Sequence, residues 1–180
     1  MGDSLTAGNG ILASNIIGDL VEYRGHSWWR DFKFPIFNDI PVLVKFDIIK
    51  QFGSYLYGYS LGTGGVDSPG ARLNVAHPGD TSHNMPQQAR TIIDRMRSDN
   101  HVRYNDDWKL ITLFVGGNDL CDACNDLNKY SAANYVTQIR MALDILHSEV
   151  PKAFINVVNI FDIAPIASMN GGIMCTLVHS

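Results

Sequence analysis

Apolar residues fall into two regimes along this chain. From residue 72 onward they recur at strand or helix spacing, whereas from 24 to 70 they do not. "RLNVA" at 72–76 predicts a short strand, and "HPGD" after it a turn. In "MPQQARTIIDRMRSD" the apolar residues Ala89, Ile92, Ile93 and Met96 share one helical face. Pro86 fits the first turn of that helix, where no backbone donor is needed. "WKLITLFV" is an apolar run that predicts a strand buried on both faces, and it leads into "GGND". "SAANYVTQIRMALDILHSEV" predicts a second helix, with Ser131 as N-cap and Tyr135, Ile139, Ala142, Leu146 and Val150 on one face. Pro151 ends it, and "AFINVVNIF" predicts a third strand.

Strand, helix, strand, helix, strand is the order of a parallel α/β sheet with helices on its faces. In such sheets the working residues lie beyond the carboxyl ends of the strands. That rule selects the turn around Gly79, the loop Gly116–Asp119 and the loop after Phe161. Residues 24–70 carry "HSWWRDFKFPIF" and "FGSYLYGYSLGTGG", rich in aromatics and glycine. They predict a long insertion with one short helix around Val42–Phe52, of a length that tends to be functional or mobile. There is no internal repeat and no low-complexity tract.

Composition narrows the picture. A chain of 180 residues, 46% hydrophobic and 18% charged, is sized for one domain and can build a core. The net charge of -4 gives no electrostatic case for nucleic acid. Acids are sixteen Asp against two Glu, which favours caps and loop ends over helix interiors. No apolar run approaches the roughly 20 residues of a membrane span. The most apolar tail is broken by Asp162, Pro165 and Gly171-Gly172, and the first residues lack the basic start and apolar run of a signal peptide. "CDAC" places Cys121 and Cys124 in a C-x-x-C, but a zinc site needs two more ligands at suitable spacing and none sits close by. A structural role is expected for both, with no metal. "GTGG" at 62–65 is not a dinucleotide fingerprint, because Asp67 stands where the third glycine belongs.

Hydrolytic chemistry fits the strand ends better. Ester hydrolysis needs a nucleophile, a base, and donors aimed at the developing oxyanion. Glycine suits a backbone donor because it lets a substrate approach closely, and asparagine suits a neutral, directional side-chain donor. Ser4 stands in "GDSLTAGNG", Gly79 in "NVAHPGD", and Gly116, Asn118 and Asp119 in "GGND". The glycine and the asparagine each follow a predicted strand on the same edge of one sheet.

These stretches, with "VEYRG", "LYGYS" and "GTG" on either side of Leu61, "MPQQAR" and "DWKLITLFVGGNDLCDAC", resemble the GDSL (SGNH) hydrolase superfamily, and within it the animal membrane-associated phospholipases B. The resemblance covers about residues 2–125, and the later helix and strand continue the expected order. It implies an SGNH-hydrolase (flavodoxin-like) three-layer parallel sheet. It implies Ser4 as nucleophile, and an oxyanion hole from the Ser4 N–H, Gly79 and Asn118. Asp3, Gly116 and Asp119 would support the loops. Substrates would be phospholipids or lysophospholipids within a broader esterase or lipase range, with a membrane surface as a further partner, in an extracellular or membrane-associated setting. No cofactor is implied. The aromatic segment 28–59 either meets lipid chains or is a packed insertion.

Two departures from the family pattern stand out. The family has a strand directly before G-D-S-L, and a late D-x-x-H that supplies the base; this chain starts at Met1 and ends at His179-Ser180 without either. The expectation is therefore a single hydrolase domain truncated at both ends. The six histidines are His26, His77, His83, His101, His147 and His179. Asp80-Thr81-Ser82-His83 has the D-x-x-H spacing, but that spacing is expected by chance in a chain this rich in Asp. Surface, turn or cap positions are the simpler expectation for all six. An alternative of a different class is a catalytically inactive fold that binds lipid or a protein partner.

Overall fold

In the computed structural model, which describes residues 1–27 and 55–160, regular structure begins with two one-turn helices, α1 (Ser4–Ala7) and α2 (Ile16–Asp19). Then come α3 (Met85–Ser98), β1 (Lys109–Leu113), α4 (Gly117–Asp122), α5 (Ala132–Glu149) and β2 (Ala153–Val157). Single 3₁₀ turns lie at Arg24–His26, Pro69–Ala71 and Ser82–Asn84. The short helix expected around Val42–Phe52, and the loop after Phe161, lie outside the described residues.

The periodic faces become the core. Met85, Ala89, Ile92, Ile93 and Met96 of α3 are buried with Ile111 and Leu113 of β1. Ile139, Ala142 and Leu146 of α5 join the same cluster, with Val150 just beyond it. Each large side chain buried this way contributes about 1.5–3 kcal/mol relative to exposure. The Ser131 side chain accepts from the Asn134 N–H and caps α5. Pro151 follows the last turn, where the Val150 N–H returns to the Leu146 carbonyl.

β1 and β2 pair in parallel, with Lys109 opposite Ala153 and Leu113 opposite Val157. This is a mixed α/β fold with a small parallel sheet. On the other edge of β1 the Met1 amine donates to the Thr112 carbonyl at 2.9 Å, and Phe114 N–H donates to the Met1 carbonyl at 3.2 Å. Gly2 and Phe114 thereby form a parallel bridge. The start of the chain is thus set beside the carboxyl end of β1.

Two strand expectations need correction. β1 is buried on one face only: Lys109, Ile111 and Leu113 are enclosed, while Leu110 is 37% exposed. Leu110 and Thr112 border a cavity of about 520 Å³ also lined by Tyr55–Ser60. Residues 72–76 form no strand among the described residues: Arg72 and Leu73 lie in a turn, Arg72 with φ 48°, and 74–76 belong to no ladder. Side chains have taken the polar groups that a ladder would use. The Asn74 carboxamide accepts the Ala76 N–H and donates to the Thr6 carbonyl, and Arg24 bonds the carbonyls of Asn74 and Ala76.

Candidate active site

Ser4 is the first residue of α1, and Asp3 caps that turn by accepting the Leu5 N–H at 3.0 Å. The turn closes at Gly8, in the left-handed region with φ 78°, whose N–H returns to the Ser4 carbonyl. Ser4 is partly buried, and its hydroxyl makes no hydrogen bond among the described residues. Asp3 is only 2% exposed. Burial raises its carboxyl pKa above the ordinary carboxylate value, and neighbouring Asp119 pushes the same way. The N–H groups of Leu5, Asp3 itself and Gly116 pull it back.

The Gly2 peptide fixes this arm. Its N–H donates to Gln88 Oε1 at 2.8 Å, and its carbonyl accepts from Gln88 Nε2 at 2.7 Å and from the His77 N–H at 3.2 Å. A side chain at Gly2 would put its Cβ 2.1 Å from the Phe114 carbonyl oxygen, so only glycine fits between arm and strand.

Gly79 sits in the turn His77-Pro78-Gly79-Asp80, closed by the Asp80 N–H to the His77 carbonyl at 3.2 Å. Its φ of 84° at the third position, after a proline, is the pattern of a type II turn. A Cβ there would meet nothing, so the requirement is conformational rather than spatial. Gly79 is exposed, which leaves its surroundings open to a ligand.

Gly116 precedes α4 with φ 130°, and Asn118 and Asp119 lie in the first turn of that helix. Asn118 Nδ2 donates to the Asp80 carbonyl at 2.8 Å, which brings it to the Gly79 turn. Asp119, 3% exposed, accepts the Ser82 N–H at 2.8 Å and also the Ser82 hydroxyl. The Ser4 arm, the Gly79 turn and the Asn118 helix are therefore one bonded unit: arm to Gln88, Gln88 to Asp80 at 2.7 Å, Asp80 to Asn118.

No described histidine is hydrogen-bonded to Ser4. His26, His77, His101 and His147 are exposed, and His179 lies outside the described residues. Asp80 does not orient His83: its carboxylate accepts from Gln88 and lies 3.7 Å from His77 Nδ1. His83 is partly buried, edge-on to the Tyr130 ring at 5.6 Å, with Nδ1 buried and unpartnered among the described residues. A second D-x-x-H spacing, Asp144–His147, lies on the exposed face of α5. Cys121 and Cys124 are free and exposed at the end of α4, and Cys175 lies outside the described residues. Among the described residues no group of three His, Cys, Asp or Glu could hold a metal ion, and no helix is long and apolar enough to cross a membrane.

Residues 1–177 match the family model of GDSL-like lipases and acylhydrolases. The chain belongs to that family. Membrane-associated phospholipase B1 of Homo sapiens is 46% identical over 165 residues, covering 91% of this chain and 11% of that protein. The Rattus norvegicus protein of the same name is 41% identical over 171 residues, covering 94% of the chain and 12% of its own length. That of Mus musculus is 45% identical over 161 residues, covering 88% and 11%. The chain thus spans roughly a ninth of the length of the relatives it matches. No solved structure matches it.

In this GDSL-family chain, sequence reasoning passed over three residues that build the site. Gln88 sits on the buried face of α3 between Met85 and Ile92, so a polar residue at an apolar register was the available signal. Arg24 is 1% exposed and reaches the carbonyls of Gly64, Asn74 and Ala76 as well as Glu22. Asn74, 8% exposed, joins α1 to the same set through the Thr6 carbonyl. Arg24 stands in the aperiodic stretch, and Asn74 within an expected strand, where its side chain had no assigned partner, so nothing in the pattern marked their contacts.

Proposed function

We propose that this chain is a serine acyl-ester hydrolase domain of the phospholipase B type, acting on phospholipid or lysophospholipid esters. Ser4 is the nucleophile. Its own N–H, the Gly79 N–H and Asn118 Nδ2 are the oxyanion donors, and Asp3, Gly116 and Asp119 hold the loops that carry them. The reading takes residues 1–180 as one domain on a three-layer, flavodoxin-like sheet, working at an extracellular or membrane surface without a cofactor. The observation that carries it is the bonded chain from the Gly2 peptide through Gln88 and Asp80 to Asn118. It ties the candidate nucleophile to both candidate oxyanion donors. The printed names of the relatives supply the lipid class.

The chemistry follows from the residue types. Ser4 Oγ attacks the ester carbonyl as a base takes its proton, and the carbonyl oxygen becomes an oxyanion that preorganised N–H donors stabilise. Collapse expels the alcohol half, the lysolipid or glycerophospho group, as it takes up a proton. Water then releases the fatty acid from Ser4. The described residues assign no base. A triad lacking one member keeps a residual acceleration of about 10³–10⁴ from binding and the oxyanion hole. That observation favours a second reading, a fold that binds lipid without efficient turnover.

The test is hydrolysis of a short-chain ester and of lysophospholipid, beside labelling of Ser4 by a fluorophosphonate. The hydrolase reading expects turnover and labelling, both lost in Ser4→Ala. Lipid binding with no turnover, unchanged in Ser4→Ala, overturns it in favour of the second reading.

A further inference from the structure

Gln88 is 5% exposed on α3, and its carboxamide makes three hydrogen bonds of 2.7–2.8 Å. One oxygen accepts the Gly2 N–H. One nitrogen serves both the Gly2 carbonyl and Asp80 Oδ2. The group engages both polar atoms of a single backbone residue, as a neighbouring strand would, while its second proton reaches the loop on the other side. Two residues after Gly2 stands Ser4; one residue before Asp80 stands Gly79; and the Asp80 carbonyl holds Asn118 at 2.8 Å.

The chemistry of this contact is narrow. It needs one acceptor and two donors in one plane at the end of a side chain. Asparagine offers them one methylene short. Glutamate offers no donor when ionised, and would set a second carboxylate against Asp80 and against the Gly2 carbonyl. Lysine and arginine offer no acceptor. Leucine or methionine would fill the space but leave the Gly2 N–H and carbonyl partly unmet in a buried site, at about 1–3 kcal/mol for each orphaned group.

We infer that Gln88 is a positioning residue that sets the spacing between the Ser4 arm and the Gly79 and Asn118 donors. It goes beyond the hydrolase reading but rests on it for the roles of those three residues. Gln88 touches no reacting atom. It acts through the Gly2 peptide and Asp80, so its loss shifts the reacting geometry rather than the chemistry. A displacement of about 1 Å at a reacting centre can cost on the order of 10² in rate. The effect falls on the rate of attack, with little change in the substrate concentration needed for half-saturation.

Gln88→Glu separates positioning from packing, because it keeps shape and changes only the protons. Ionised, it repels Asp80 and cannot donate. Protonated, it regains one donor. The charged and titratable groups sharing that groove are Asp80, His77, Asp67 and Arg95. All four are present in the native chain too, so the ratio of variant to native rate isolates position 88. Fluorophosphonate labelling of Ser4 in Gln88→Glu should fall about 10²-fold at neutral pH and recover relative to native as pH falls. Gln88→Ala should be slow at every pH. Amide hydrogen exchange supplies a readout independent of activity: the Gly2 N–H should be protected in the native chain and lose protection in both variants.

A native-like pH profile in Gln88→Glu overturns the inference, as does a Gly2 amide equally protected in Gln88→Ala. If the native chain shows the protected Gly2 amide, loses it in Gln88→Ala, and yet never labels at Ser4, the hydrolase reading fails while the placement of the arm by Gln88 stands. If Gln88→Ala does not fold, the native exchange pattern and the Gln88→Glu profile decide alone.

Discussion

The α3–β1–α5 unit and the loop assembly around Ser4 are built on different principles. In the first, backbone polar groups are satisfied by helix and ladder, and the side chains only have to be apolar at the right register. In the second, regular backbone is limited to the single turn of α1, the short α4 and the Gly2–Phe114 bridge, joined by irregular loops. Buried polar side chains take the part of a neighbouring strand: Arg24 on the carbonyls of Gly64, Asn74 and Ala76, Asn74 on Thr6 and Ala76, Gln88 on Gly2, Asp119 on Ser82. A shape that regular structure cannot make is held by donors and acceptors that cannot be exchanged for others of similar size. The first region should therefore tolerate conservative substitution and the second should not.

The largest effect should come from Arg24. Its guanidinium is enclosed and serves three carbonyls besides Glu22. Arg24→Ala leaves all of them without a donor, and should cost about 3–5 kcal/mol in denaturant unfolding. Arg24→Lys should recover little, because one ammonium cannot span that fork. A cost under about 1 kcal/mol would place the loop assembly on the same footing as an exposed surface pair.

Leu146→Ala tests the other side. Leu146 is fully buried in the shared core, and truncation should cost about 2–5 kcal/mol through lost burial and the cavity left behind. Ser4 labelling by the folded fraction should be unchanged. If labelling falls further than the unfolded fraction explains, the two regions are not separable.

Asp3 gives a slope rather than an offset. Its pKa is raised in the folded protein, chiefly by burial, so the folded state holds its proton to higher pH than the unfolded chain does. Stability from this group is greatest at acid pH and falls as pH rises from the ordinary carboxylate value through the raised one. Asp3→Asn should flatten that segment of the stability profile in denaturant titrations. A native profile that rises through the same interval because of Asp3 would reverse the assignment.

The smallest effect should be at Glu149, which reaches Arg90 at 3.3 Å and Arg97 at 3.2 Å near the surface. Glu149→Gln should change stability by less than about 1 kcal/mol, and less again in high salt.

This contrast also explains what the sequence revealed. The α3 face, the Ser131 cap, the stop at Pro151 and the parallel pairing of the strands were legible, because each follows from periodicity or from a residue with one local role. The burial of β1 was misjudged because an apolar run does not say which face is covered, and Leu110 borders the cavity also lined by Tyr55–Ser60. Residues 72–76 read as a strand because "RLNVA" has strand composition; that Arg24 would claim its carbonyls from about fifty residues away is a tertiary fact. In the candidate site, Ser4, Gly79 and Asn118 stood out through their motifs. Gln88, Arg24 and Asn74 are single polar residues whose partners lie far along the chain; only Gln88, polar at an apolar register of α3, left a local sign, and that sign names no partner.

The Gly2–Gln88 contact closes a span of 86 residues, about twice that separating the paired strands. Loop-closure entropy adds only about 0.6 kcal/mol for such a doubling. Timing is the larger matter. Gln88 offers its carboxamide in a fixed direction only once α3 is wound and docked, so the arm has no seat before the core exists. The candidate-site end of the molecule is then the last part to assemble and the first to come loose, and a pulse of deuterium during refolding should mark the Gly2 amide after those of β1.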